Sequence, residues 1–152
     1  MKNQARYAAG YRIIKEHNLI IDLRSGLADL ACLEAYKIEQ TKDSEFNINF
    51  DILEDVTEMD LDLIINELEY YTNFMAGLQM LKSSGRKVAA IVKTPHQMVH
   101  AQALQKHLKD LQEFKFFTSL KPAIAWLDKP ITEEEIIAIT KEIKKNPSFS
   151  WK

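Results

Sequence analysis

The sequence predicts an α/β layer fold in one domain: a mixed sheet of about five strands with four helices, followed by one additional C-terminal helix. Three observations lead there. The hydrophobic period switches repeatedly along the chain between the two-residue repeat of strands and the three-to-four-residue repeat of helices. Strands set apart by helices of ten or more residues run largely parallel, joined by right-handed crossovers. Finally, 152 residues with only 4 Gly and 4 Pro suit one core of plainly connected elements better than a turn-rich β-sandwich.

The pieces Tyr11-Arg12-Ile13-Ile14 and Leu19-Ile20-Ile21-Asp22-Leu23, parted by His17-Asn18, read as a hairpin whose second strand stops at Gly26. Leu27 to Thr41 is a first helix, with Leu30, Leu33 and Ile38 among good helix formers. Phe46 to Leu53 alternates apolar and polar residues as a half-protected strand does. A long second helix starts near Asp60, where Asp60 and Asp62 would sit in the first turn, and carries Leu61, Ile64, Ile65, Leu68, Tyr71, Met75 and Leu78 to a stop at Ser83-Ser84-Gly85. Arg86 to Val92, two cations and an apolar run, is a strand buried on both faces. Pro95 opens a third helix with a Met98, Ala101, Leu104, Leu108, Leu111 stripe. Phe114 to Phe117 is a short strand, and Leu120 to Leu127 a compact fourth helix. Thr132-Glu133-Glu134-Glu135 is a capping box stapled by Ile131 and Ile136, so a fifth helix begins there and ends at Asn146-Pro147. The expected division is residues 1–130 as the domain and 131–152 as a helical extension and tail.

Net charge is −2, yet ten acids and no Lys or Arg fall between residues 43 and 81. Such a segment predicts an acidic face that repels nucleic acid and suits a basic protein partner. One cysteine, Cys32, cannot form an internal disulfide, and neither a leader pattern at Met1 nor an apolar run of membrane-spanning length is found, so the expected compartment is the cytoplasm.

The stretches "YRIIKEHNLIIDLRSG", "LKSSGRKVAAIV" and "FKFFTSLKPAIAWL" together resemble the SpoIIAA-like branch of the STAS-like superfamily, the fold of anti-sigma-factor antagonists, over about residues 11 to 127. The resemblance implies a regulatory domain with paired first strands and a basic-then-apolar central strand. Members of that superfamily are switched by phosphorylation of a serine at the start of the second helix, in a motif like Met-Asp-Ser-Ser-Gly. Here the corresponding stretch is Met59-Asp60-Leu61-Asp62-Leu63, and the serines are missing, so no phosphoacceptor is carried over.

Candidate chemistry is sparse. His96 and His100 could chelate a metal as an H-x3-H pair, but His107 lies about 10 Å farther along the helix axis and cannot join them, so no metal site is expected. The carboxylates of residues 51 to 62 fit no cation cage, and Cys32 has no activating neighbour in sequence. No Gly-rich phosphate loop or nucleophile elbow occurs, and no acid, base and nucleophile can be grouped; a non-enzyme without cofactor is the expectation. Tyr70, Phe74 and Met75 make the second helix apolar on more than one stripe. Two functions follow. The first is a regulatory module docking another protein through Thr57, Glu58, Asp60 and Asp62. The alternative is a small apolar ligand, such as a lipid, held against Tyr70, Phe74 and Met75. The Ile136, Ile139 and Ile143 stripe needs burial, and a homodimer is the expected way to supply it.

Overall fold

The computed structural model describes residues 5–63, 65–77, 86–109 and 112–151. Six strands form one sheet: β1 (Ala8–Ile14), β2 (Leu19–Ala28), β3 (Asp51–Leu61), β4 (Lys87–Ile91), β5 (Glu113–Phe117) and β6 (Phe149–Ser150). Five helices accompany them: α1 (Leu30–Thr41), α2 (Ile65–Gly77), α3 (Pro95–Leu108), α4 (Leu120–Leu127) and α5 (Glu133–Lys145). The strand order is β5-β4-β3-β2-β1-β6. β2 to β5 run parallel, as crossover helices demand, while β1 is antiparallel to both β2 and β6. The expected α/β architecture therefore holds, with a sheet one strand larger than predicted.

The hairpin is as expected, its turn closed by Asn18 at φ 50°, a left-handed conformation that Asn tolerates. Gly26 does not end β2, which continues to Ala28. Gly26 instead sits within the strand at φ 81°, where the Arg6 carbonyl occupies the space of a side chain. The first helix starts at Leu30, capped by Asp29, whose carboxylate accepts from the Cys32 N–H at 3.0 Å. In return the Cys32 thiol accepts from the Asp29 N–H at 3.1 Å.

The third strand is the main correction. Residues 43 to 50 form two successive turns, closed by the Phe46 N–H on the Asp43 carbonyl and the Phe50 N–H on the Asn47 carbonyl, with the Asp43 and Asn47 side chains each accepting from the backbone N–H two residues on, at 2.9 and 2.8 Å. Phe46, Ile48 and Phe50 still pack on the core, which is why their alternation resembles a strand. The strand itself is the acidic stretch from Asp51, so Asp60 lies on β3 and Asp62 just beyond it instead of in a helix; α2 begins at Ile65. The expected helix stop at Ser83-Ser84-Gly85, and Ile64, Leu78 and Leu111, lie outside the described residues.

Two apolar layers flank the sheet. Ile20, Ile52, Val56, Val88 and Phe114 point to one face, under α1, α2 and α3. Leu19, Ile21, Leu53, Ala89 and Ile91 point to the other, under α4 and α5. The Thr132 capping box forms, its hydroxyl accepting from the Glu135 N–H at 3.1 Å. Ile136 and Ile143 are 1% and 5% exposed within this second layer, so their stripe needs no second copy of the chain to bury it. Residues 149 and 150 add β6 outside β1, placing the segment read as an extension within the same sheet.

Candidate functional site

Polar and charged residues line up along the α1–α3 side of the sheet. On β2, Leu19, Ile21 and Leu23 face α4 and α5, so Ile20, Asp22 and Arg24 must face the other way. Asp22 is wholly buried and Arg24 is 4% exposed. Opposite Asp22 in register stands Glu54 of β3. Arg24 Nη2 reaches Asp22 and Glu54, each at 3.3 Å. Burial opposes the Arg24 charge, but Asp22, Tyr7 and Glu54 overcome it and hold its pKa above the ordinary value. Asp22 also accepts from the Tyr36 hydroxyl at 2.9 Å and from Gln40 Nε2 at 3.4 Å. Both carboxylates of this buried group are therefore engaged.

Two further buried cations are less well served. Lys37 on α1, 3% exposed, donates to the neutral Gln40 Oε1 at 3.2 Å. Burial first, and the Arg24 charge second, pull its ammonium from 10.5 to about 7. Arg86, just before β4 and 2% exposed, donates from Nε and Nη2 to Gln112 Oε1 at 3.2 and 2.8 Å. Burial lowers its guanidinium to about 10, against the opposing pull of Glu54. Arg24 Nε and Arg86 Nη1 have no hydrogen-bond partner among the described residues.

Arg24, Lys37, Glu54, Arg86 and Gln112 share the wall of one cavity of about 80 Å3, roofed by α2 and α3. Its apolar wall includes Ile52 and Val56 of β3, Leu68 and Met75 of α2, and Ala101 and Leu104 of α3. It follows β4 from the Arg86 and Gln112 end to Val92, with the exposed His96 and half-buried Leu61 at the far rim. Of the residues expected at an apolar site, Met75 lines the cavity; Tyr71 takes the place of Tyr70, which is 67% exposed, and Phe74 packs half-buried against the core. The phenol of Tyr71 is pushed up to about 12 by burial, with Arg24 pulling the other way.

Gln97 clamps the roof. Among the described residues only β3 residues 52 to 55 pair with β4, so the rest of that edge has no neighbour strand among them. The Gln97 Nε2 fills the gap, donating to the carbonyls of Val56, Thr57 and Met59 at 3.0 Å each, while its Oε1 accepts from the Lys93 and Thr94 N–H groups.

His96 and His100, weighed as a chelating pair, both meet backbone carbonyls. His100 places both ring nitrogens on carbonyl oxygens, His96 O at 2.9 Å and Leu63 O at 3.1 Å, leaving neither for a cation. His96 approaches the Leu61 carbonyl. The expected docking residues are dispersed: the Thr57 hydroxyl donates to Asp55 at 2.7 Å, Glu58 pairs with Lys144 at 2.9 Å, and Asp60 and Asp62 are exposed. Asp51 pairs with Lys129 at 2.9 Å. Within the acidic segment Glu45, Asp51, Glu54 and Glu58 are thus ion-paired to cations of the chain. Cys32 is buried and its thiol is pushed up to about 11, chiefly by burial, which makes it a poor nucleophile.

The residues that sequence reasoning missed are Arg24, Lys37, Arg86 and Gln97. For Arg24 a signal existed, since Leu19, Ile21 and Leu23 already fill one face of β2 and leave Asp22 and Arg24 the other. Lys37 carries no local signal within its helix, and Arg86 reads only as one of two cations opening an apolar strand.

No family model matches the chain, and no curated protein sequence matches it. Among the described residues no helix is long and apolar enough to cross a membrane. A solved structure from Shewanella loihica PV-4, an uncharacterized protein of the DUF3478 family with a SpoIIAA-like fold, aligns with 84% of this chain and 98% of its own at a TM-score of 0.54 and 20% identity. That alignment, over nearly the whole of the neighbour, shows that this chain has a SpoIIAA-like fold.

Proposed function

We propose that the chain is a non-enzymatic regulatory domain whose signal is a small, largely apolar molecule held between the β3–β4 face and the roof of α2 and α3. The cavity carries this reading. Well-packed interiors leave few voids larger than a water, whereas this one holds about 80 Å3. At about 13 Å3 of such volume per water that is room for some six waters against mostly apolar walls. Met75 and Leu104 can repack around an occupant, as adaptable side chains at binding surfaces do. Occupancy alters the seat of α2, whose outward Tyr70 then offers the changed surface to a protein partner.

Docking through Thr57, Glu58, Asp60 and Asp62 is the second reading, favoured by the position of Asp60 and Asp62 where β3 hands over to α2, the segment tied to α3 by His100. The test of the first reading is thermal shift and native mass spectrometry of the purified chain across medium-chain alcohols and acids, beside Ala101→Leu, which fills the cavity. A saturable shift in wild type, lost in Ala101→Leu with the unliganded Tm retained, supports a ligand pocket. No shift with any compound, and no co-purified mass, refutes it.

A further inference from the structure

The cavity is apolar along most of its length but not at its Arg86 end. Three cations, Arg24, Lys37 and Arg86, line it with one carboxylate, Glu54. Asp22 stands behind Arg24 and is already engaged by Arg24, Tyr36 and Gln40. Arg24 therefore has carboxylate partners, whereas among the described residues the hydrogen bonds of Lys37 and Arg86 go to the amide oxygens of Gln40 and Gln112. A buried charge held by neutral acceptors alone is costly, and proteins keep such charges where something else completes them. The lowered values of Lys37 and Arg86 reflect that cost. Two guanidinium N–H groups more than nine-tenths buried, Arg24 Nε and Arg86 Nη1, remain without an acceptor among the described residues. What is missing at this end is a second negatively charged acceptor beside Glu54, whose carboxylate pairs with Arg24.

Resting on the ligand-pocket reading above, we propose that the occupant is an amphiphile with one anionic head group, seated among Arg86, Lys37 and Arg24, and a medium-length apolar tail running under α2 and α3 toward Leu61. A single negative charge fits because three cations, Arg24, Lys37 and Arg86, face two carboxylates, Asp22 and Glu54, so that one positive charge is unmatched when Lys37 holds its proton. Charge-assisted hydrogen bonds from guanidinium to an oxyanion are short and directional. Gln112 keeps Arg86 oriented while Nη1 stays available. A carboxylate and the singly ionised form of a phosphate monoester share this chemistry.

Octanoate, octyl phosphate, 1-octanol, acetate and inorganic phosphate are titrated by calorimetry into the full chain, wild type and Arg86→Met. Wild type should bind octanoate or octyl phosphate at least about tenfold more tightly than octanol, as one charged hydrogen bond in a buried site requires, and the small free anions far more weakly than either. Arg86→Met, which keeps most of the side-chain volume, should bring the octyl anions to the level of octanol while leaving octanol unchanged. Octanol and octanoate binding equally well would overturn the anionic head while leaving the pocket in place. Acetate or phosphate binding as tightly as its octyl counterpart would overturn the tail and leave a free-anion site. No binding of any probe would overturn both this proposal and the pocket. The comparison within wild type decides the matter even if the variant folds poorly.

Discussion

Replacing Lys37 by Met should remove a pH dependence of stability between pH 7 and 9. Lys37 is buried against Gln40 of its own helix and faces Arg24 and Asp22 from β2, Glu54 from β3 and Arg86 at the head of β4. Burial and Arg24 draw its ammonium down to about 7 in the folded chain, with Arg86 pushing the same way and Asp22 and Glu54 opposing. In the unfolded chain it titrates near its ordinary value of about 10.4. Between those values the unfolded state carries a proton that the folded state lacks, so stability rises with pH across the window and is lost as pH falls toward 7. Each pH unit inside the window is worth about 1.4 kcal/mol, or about 2 kcal/mol from pH 7.5 to 9. For a chain of this length that is a rise of about 4 to 8 °C in Tm. Ionisation of the unfolded Cys32 and tyrosines works in the opposite direction toward the top of the range, equally in both proteins, and cancels in their difference. The assay is calorimetric melting of ligand-stripped wild type and Lys37→Met from pH 6 to 9. The variant should be the more stable at pH 6 to 7, with the gap narrowing as pH rises. Parallel curves would show that Lys37 is charged and neutralised in the fold, refuting the unpaired-cation account.

Gln97→Ala should cost on the order of 3 kcal/mol, because it strips the Val56, Thr57 and Met59 carbonyls and two N–H groups of one shared partner; urea titration reads it, and a loss below about 1 kcal/mol would show that water replaces the clamp. Deleting residues 131–152 should abolish cooperative melting, since Ile136 and Ile143 alone are worth about 1.5 to 3 kcal/mol each and cover Leu19, Ile21 and Leu53. A truncated chain with the wild-type Tm would show that α5 contributes nothing to the core.

Where local chemistry decides an element, the sequence discloses it. Helix α4 runs from Leu120 to Leu127 in both reading and structure, and the Thr132 cap places α5 within a residue. Strand β3 escapes because its exposed and half-buried acids find partners far along the chain, Glu54 with Arg24, Asp51 with Lys129 and Glu58 with Lys144, and no local pattern reports such pairings. Its aromatic prelude misleads for the opposite reason, as Phe46, Ile48 and Phe50 are apolar enough to suggest a strand while Asp43 and Asn47 bend the backbone into turns. The site fails in the same way as β3. Its helix face was legible in Met75, but Arg24 on β2, Lys37 on α1 and Arg86 ahead of β4 are far apart in sequence, and a buried cation looks in sequence like any surface one.

The pairing of β6 with β1 carries a consequence for synthesis on the ribosome. Among the strands β1 emerges first and β6 last, with α5 just ahead of it. Gly10 of β1 is bare on the side where Ile143 arrives; a Cβ there would lie 2.5 Å from Ile143 Cγ2. Until α5 and β6 emerge, a nascent chain holds an open strand edge beside an uncovered apolar sheet face, the combination most prone to pairing with a neighbouring chain. Released chains cut short between residues 130 and 148 should therefore be the species that chaperones hold longest, while chains that include Phe149 and Ser150 cover the start of that edge themselves.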